Sequence, residues 1–182
     1  MSPRPRNRLV LVAILLAFVA PLLIATWLQR SGWLPDGRKN YGELLAPPEP
    51  LPAARLQAGG EFAWKTREWY WSLLVRLPND CGQTCRQALL ELPRLRQSLG
   101  RHATKLRIVV LDAPGRNAGQ LLTGRGIYPI ELVEAGTIES TLPEPRAGLR
   151  LGLVDPNGFL VLRFPENAEA ARLRRDLERL LR

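Results

Sequence analysis

Leu9 to Leu28, LVLVAILLAFVAPLLIATWL, is a run of 20 residues without a charge. As a helix it spans a bilayer core of about 30 Å. No other feature of the chain limits its architecture as much. Pro21 falls inside the run, and transmembrane helices tolerate such a kink. Arg4, Arg6 and Arg8 precede it, so the positive-inside rule keeps residues 1–8 in the cytoplasm. Trp27 and Trp33 flank its outer end, as interfacial aromatics do. A cleaved signal peptide is the competing reading. Its apolar region would be long for that role, and no small-x-small site follows: an end at Ala20 puts Phe18 at the third position back, and an end at Ala25 puts Leu23 there. An uncleaved anchor over 9–28 is the better reading. Either way residues 31–182 are expected outside the cytoplasm, in the periplasm of a Gram-negative source, where thiols are readily oxidised.

The chain carries a net charge of +9, unevenly placed. Residues 1–30 hold four arginines and no acid, while the other 152 residues hold 22 bases and 17 acids. These later bases are scattered among acids, with no basic stripe interleaved with aromatics, so nucleic-acid binding is not expected.

Residues 29–60 read as a tether. LLAPPEPLPAARLQAGG is rich in proline and ends in Gly-Gly, a composition for extended, weakly structured chain. The folded domain is expected over 61–182. EWYWSLLVRLP, residues 68–78, is aromatic and apolar enough for a buried strand. Leu89, Leu92, Leu95 and Leu99 then recur at helical spacing. Pro93 should bend or restart that helix, and Gly100 is placed to end it. KLRIVVLD, residues 105–112, reads as a strand buried on both faces. APGRNAGQLLTGRG reads as a loop with a short helix at its end. LRLGLVDPNGFLVLRFP, residues 149–165, reads as a hairpin turning at Asp155-Pro156-Asn157-Gly158. ENAEAARLRRDLERLLR puts Leu173, Leu177, Leu180 and Leu181 on one face of a terminal helix. Strand, helix, strand suggests a βαβ crossover. A hairpin and a covering helix complete a small mixed sheet, and the whole is the thioredoxin-like α/β plan.

Both cysteines of the chain, Cys81 and Cys85, lie in PNDCGQTCRQALLELPRL, where the first strand gives way to the helix. Residues i and i+4 share a helix face, so their sulfurs can meet within disulfide range. Free N–H groups and the dipole at a helix start stabilise a thiolate. Arg86 adds a positive neighbour and Asp80 opposes it. Two converging thiolates suit Cu(I), and the same pair can close reversibly as a disulfide. A static structural bond is the third option, and so small a loop would stabilise the fold little.

A membrane anchor, an aromatic strand, C-x-x-x-C at a helix start and a late D-P-x-G hairpin followed by FP and a terminal helix resemble the Sco/SenC family. NYGELLAPPEPLP and LVDPNGFLVLRFP are similar to the small membrane-anchored Sco-like proteins of proteobacterial cytochrome c oxidase gene clusters. The resemblance implies a thioredoxin fold and a task in assembling the copper sites of a haem-copper oxidase. It implies copper bound through Cys81, Cys85 and a later histidine, or reduction of the cysteines of oxidase subunit two. The histidine does not carry over: Ala147 stands at its place. The chain's one histidine is His102, and its one methionine is Met1. Two thiolates can hold Cu(I), whereas Cu(II) loses its imidazole. The expectation is therefore an inner-membrane protein that assists oxidase assembly by thiol chemistry, Cu(I) handling, or both, with Cys81 and Cys85 as its site. The rivals are a general membrane-tethered thiol-disulfide oxidoreductase and a scaffold with a static disulfide.

Overall fold

The computed structural model describes residues 3–31, 40–113, 118–119 and 130–181. It divides into two compact units, Met1–Lys39 and Asn40–Arg182.

The first unit is the helix α1 (Pro3–Arg30). Its Arg8–Leu28 stretch has a mean hydropathy of 2.9 and is long and apolar enough to cross a membrane. The helix runs on through Pro21. The hydroxyl of Thr26 donates to the Leu23 carbonyl at 2.9 Å, which satisfies a polar side chain inside the apolar span. Trp33 lies outside the described residues.

The second unit is a mixed sheet with helices packed on it. Its strands are β1 (Glu43–Pro50), β4 (Trp71–Arg76), β5 (Leu106–Asp112), β6 (Ile130–Glu134), β7 (Arg150–Val154) and β8 (Phe159–Arg163). A separate two-stranded ribbon joins β2 (Ala54–Arg55) to β3 (Glu61–Phe62). The large sheet has the order β1-β8-β7-β4-β5-β6. β4, β5 and β6 are parallel; β7 runs against β4, β8 against β7 and β1 against β8. β4 is central, and Leu73, Leu74 and Val75 are at most 1 % exposed, as expected of a strand covered on both faces.

Alternation along the strands divides the core in two. Leu73, Val75, Ile108 and Val110 pack against α2 (Gln83–Ser98) and α3 (Ala170–Leu180) through Leu89, Leu92, Leu173 and Leu177. Leu74, Val109 and Leu111 face the opposite way, onto Phe62, Trp64, Ile138 and Leu142. Fully burying each such leucine or valine stabilises by about 1.5–3 kcal/mol, so the leucine spacing of α2 and α3 fixes which face of each helix turns inward. α2 continues through Pro93 without a second start, and Gly100, at φ +56°, closes it in the left-handed conformation that glycine adopts without strain. The β7–β8 turn is held by the Asp155 carboxylate, which accepts from the N–H groups of Asn157 (2.9 Å) and Phe159 (2.8 Å). The terminal helix buries Leu173, Leu177 and Leu181, with Leu180 half-buried.

The proline-rich stretch before the domain departs from its sequence reading. The sequence places a tether up to residue 60, but the folded unit begins at Asn40. Glu43 and Leu44 pair with Arg163 and Leu162, Glu49 and Pro50 pair with Leu160 and Phe159, and the register shifts in between. Pro47 and Pro48 fall in that irregular stretch on the sheet edge, where a missing N–H breaks no ladder. The N–H groups of Tyr41 and Gly42 donate to one oxygen of Asp176 on α3, at 2.7 and 2.9 Å. Gly42 lies against the Phe164 ring, where an added Cβ would come within 2.8 Å. The strand β6 is also absent from the sequence reading. Of the loop and short helix expected over 113–126, all but residues 113, 118 and 119 lie outside the described residues.

Candidate redox site

Cys81 and Cys85 are joined by a disulfide across Cα atoms 5.2 Å apart. β4 delivers the chain to this point, and Leu77 and Pro78 remain buried beyond its end. The residues do not share a helix face as i and i+4 of α2. The helix starts at Gln83, with Gly82 as N-cap in an extended conformation (φ −69°, ψ −167°), so Cys81 sits one residue before the N-cap and Cys85 in the first turn. The reason is local: the backbone bends over Asn79 and Asp80, and the Gly82 N–H donates to the Asp80 carbonyl at 3.1 Å.

This placement makes the two sulfur positions unequal. Cys85 is fully buried and packs into the leucine core, whereas Cys81 is half-exposed at its edge. No side chain caps the first turn of α2. Its N–H groups and the helix dipole are therefore open to a negative charge at Cys81. The Arg86 Nε–H donates to the Cys81 carbonyl at 3.2 Å and brings a cation beside the bond.

Around the disulfide the sheet edge is a set of ion pairs. Arg76, the last residue of β4, is buried. Its guanidinium donates to the Glu139 carbonyl (2.8 Å), the Leu142 carbonyl and the Glu139 carboxylate (3.1 Å). Glu144 lies 3.8 Å from Arg76 and accepts from the Asn79 side chain, two residues before Cys81. The segment 142–149 is thereby tied to the cysteine loop. Since Arg76 pairs with Arg150 at the start of β7, Ala147 lies at the same sheet edge as the disulfide.

Ala147 is held there by its backbone. One Glu166 carboxylate accepts the N–H groups of Arg146, Ala147 and Gly148 at 2.8–3.1 Å, with Arg150 at 3.9 Å. Those backbone hydrogen bonds, chiefly from Ala147 and Gly148, pull the Glu166 carboxyl down from 4.5 to about 2. A depressed folded-state value means that the stabilisation is complete above the ordinary carboxylate range. It is lost as pH falls from about 4.5 towards about 2. Glu166→Gln is expected to lower stability at neutral pH by about 1–2 kcal/mol, the loss of charge-assisted hydrogen bonds near the surface. Thermal unfolding of both proteins between pH 7 and pH 2 checks this: the gap should close at the acid end, and a constant gap would mean that the charge is not the cause.

His102 is not brought to the cysteines. It lies in the 3₁₀ turn Gly100–Lys105, which leads into the opposite end of β5, and its Nδ1 is 3.0 Å from the Leu181 carbonyl. Among the described residues no group of three His, Cys, Asp or Glu side chains is placed to hold a metal ion. The donor set at the site is two sulfurs, and Ala147, where the resemblance puts a histidine, has no ligand atom in its side chain. That set fits two-coordinate Cu(I) and does not fit Cu(II), which prefers nitrogen and oxygen ligands. Arg76, Glu144 and Glu166 escaped sequence reading. The one available signal was a lone arginine closing the apolar strand WSLLVR.

The fold has many solved counterparts. Sco1 from Thermus thermophilus, in its apo form, superposes with a TM-score of 0.57 over 80 % of this chain and 99 % of its own, at 16 % identity. BsSco, a member of the Sco family of cytochrome c oxidase assembly proteins, gives 0.51 over 78 % and 94 %, at 14 % identity. MTB dsbF, solved in mixed oxidized and reduced forms, gives 0.51 over 72 % and 95 %, also at 14 % identity. At these identities the likeness establishes a thioredoxin-like fold and nothing finer. No curated protein matches in sequence. The profile of one family, described as the transmembrane-like, thioredoxin-like, C-terminal domain, matches residues 71–182. That span covers well over half of the chain, from the first residue of β4 through both cysteines to the terminal helix, and the protein belongs to this transmembrane-like, thioredoxin-like family.

Proposed function

We propose that this protein is a membrane-anchored thiol-disulfide reductant that serves cytochrome c oxidase assembly, with the cysteines of oxidase subunit two as its target. The observation that carries the chemistry is the asymmetry of the pair: a half-exposed Cys81 at an uncapped helix start, over a buried Cys85. In the reduced protein the Cys81 thiolate attacks a sulfur of the partner disulfide, and the other partner sulfur leaves as thiolate. The Cys85 thiolate then attacks the Cys81 sulfur of the mixed disulfide. This forms the Cys81–Cys85 bond and releases the partner dithiol. Two electrons pass to the partner, and an external dithiol returns the protein to its reduced form. The oxidase as destination is supported by the sequence resemblance and by the Sco proteins among the structural counterparts. The test is direct. Reduced full-length protein is mixed with the oxidised copper-binding domain of subunit two, and thiols on that domain are counted. Stoichiometric transfer supports the reading, and no transfer over the uncatalysed rate overturns it.

Cu(I) is the cargo the reduced site can take, because two thiolates meet there with no third ligand among the described residues. The reduced protein should bind one Cu(I) per monomer and Cu(II) far more weakly. Ala147→His should raise Cu(II) affinity, while His102→Ala should change neither. Competition titrations with chromophoric chelators measure all three, and a Cu(I) loss in the His102 variant would place the third ligand elsewhere.

The reaction needs the domain outside the cytoplasm. Arg4, Arg6 and Arg8 before the apolar span support an N-in, C-out orientation in the inner membrane. A reporter fused after Arg182 that is active only in the periplasm should be active, and activity of a cytoplasm-only reporter there would reverse the topology.

A further inference from the structure

Glu144 stands between two prolines, in the stretch Leu142-Pro143-Glu144-Pro145. The rings fix the backbone angle φ at 143 and 145, and a residue ahead of proline is restricted as well. Both ends of the stretch are held. The Leu142 carbonyl accepts from the buried Arg76 guanidinium, and the Glu166 carboxylate clasps the N–H groups of Arg146, Ala147 and Gly148. Leu142 and Pro145 are themselves buried, while Glu144 is exposed. Its carboxylate therefore stands on a stiff support beside the end of β4.

Arg76 does not depend on this acid. A buried guanidinium needs a counter-charge and acceptors. Arg76 has both in the Glu139 carboxylate, at 3.1 Å, and in the carbonyls of Glu139 and Leu142. Glu144 approaches it only to 3.8 Å, beyond hydrogen-bond range, and instead accepts from the Asn79 side chain. Asn79 is where the chain leaves the core. Leu77 and Pro78 are buried, Asn79 and Asp80 are exposed, and Cys81 is half-exposed. Residues 79–82 thus run outside the core, and Glu144 grips them at their first residue.

We propose that Glu144 is a positioning residue for the redox pair: through Asn79 it holds the Cys81 loop where the Cys81 sulfur meets that of buried Cys85. Fixing two thiols at bonding range raises their effective concentration toward each other, and so favours the disulfide over the dithiol. A reductant gains from this, because it passes electrons on only when its own disulfide is more stable than its partner's. The role rests on the thiol-disulfide reading of the site, but it is measured on an equilibrium that needs no oxidase.

The experiment equilibrates the full chain, in detergent micelles, with graded ratios of reduced and oxidised dithiothreitol. Closing the Cys81–Cys85 bond passes two electrons and two protons to oxidised dithiothreitol, which opens to its dithiol. Thiol alkylation and mass spectrometry then give the reduced fraction. Glu144→Ala should lower the equilibrium constant for closure about tenfold, the weight of one hydrogen bond to a charged group, which makes the pair about 30 mV more oxidising. Asn79→Ala should do the same, and the double variant should fall no further than either alone, since both remove one contact. Glu144→Gln keeps an acceptor oxygen for Asn79 and should stay within about threefold of the native value. Both side chains are exposed, so the variants should fold normally, and the melting temperatures of the oxidised forms check this. An unchanged constant in Glu144→Ala overturns the proposal. So does an equal fall in Glu144→Ala and Glu144→Gln, because the charge and not the contact would then be at work. Additivity in the double variant overturns it as well. These outcomes stand apart from the transfer test: a pair whose constants shift as expected but which gives no thiols to subunit two would refute the exchange partner and leave the positioning intact.

Discussion

Replacing Cys85 with serine should turn the exchange reaction into a trap. Cys81 can still attack a partner disulfide, but no second thiol resolves the product, so a mixed disulfide accumulates to nearly one per protein. Replacing Cys81 instead should lower exchange to the uncatalysed background, because Cys85 is fully buried and cannot reach a partner. Neither change should unfold the domain. A bond closing so short a loop stabilises by roughly 2 kcal/mol at most by loop-closure entropy, well below the total stability of an ordinary domain. Non-reducing electrophoresis after mixing with an oxidised partner distinguishes the two variants. Trapping by Cys81→Ser, or free turnover by Cys85→Ser, would reverse the assigned roles. A large fall in melting temperature on reduction would favour a static structural bond over a working one.

The largest expected change in stability away from the cysteines is at Asp176. Its carboxylate is 2 % exposed and takes both the Tyr41 and Gly42 N–H groups. Asp176→Ala leaves two backbone donors without an acceptor, at about 1–3 kcal/mol each, so a total loss of about 3–5 kcal/mol is expected. Asp176→Asn keeps an acceptor oxygen and should cost about half as much. Urea unfolding gives the two free energies. Hydrogen exchange should show residues 41–50 opening in the alanine variant while β4 and β5 stay protected. A cost below about 1 kcal/mol for Asp176→Ala would mean that the first strand is held by its pairing with β8 alone.

How far the sequence could be read depends on what holds each element. β4, β5, α2, the β7–β8 hairpin and α3 show plainly, because each carries its own apolar period and its own stop signal, such as Gly100 or the Asp155 turn. The cysteine position shows for the same reason, lying between two such elements. β1 does not show: its cohesion comes from β8 and from Asp176, over 100 residues away, while its local composition of Pro47, Pro48 and Pro50 argues for open chain. β6 is short and half-polar, and it becomes a strand by lying beside β5. Within the site, the C-x-x-x-C spacing identifies the sulfurs but not their inequality. That inequality follows from the helix starting at Gln83, two residues after Cys81, where the spacing puts Cys81 inside it. The Glu166 clasp on residues 146–148 involves backbone N–H groups, which every sequence supplies, so nothing in the sequence marks it.

The bond from Tyr41 to Asp176 spans 135 positions of the chain. Synthesis runs from the amino end, so β1 is made early and its partners last. At about 5–20 residues per second that delay is on the order of ten seconds, during which residues 43–50 wait as unpaired nascent chain. An apolar strand in that position would be free to pair wrongly with whatever emerged next. Three prolines in eight residues make it a poor template for any such pairing. The composition that disguises β1 as a linker is therefore what keeps it harmless until α3 arrives to claim it.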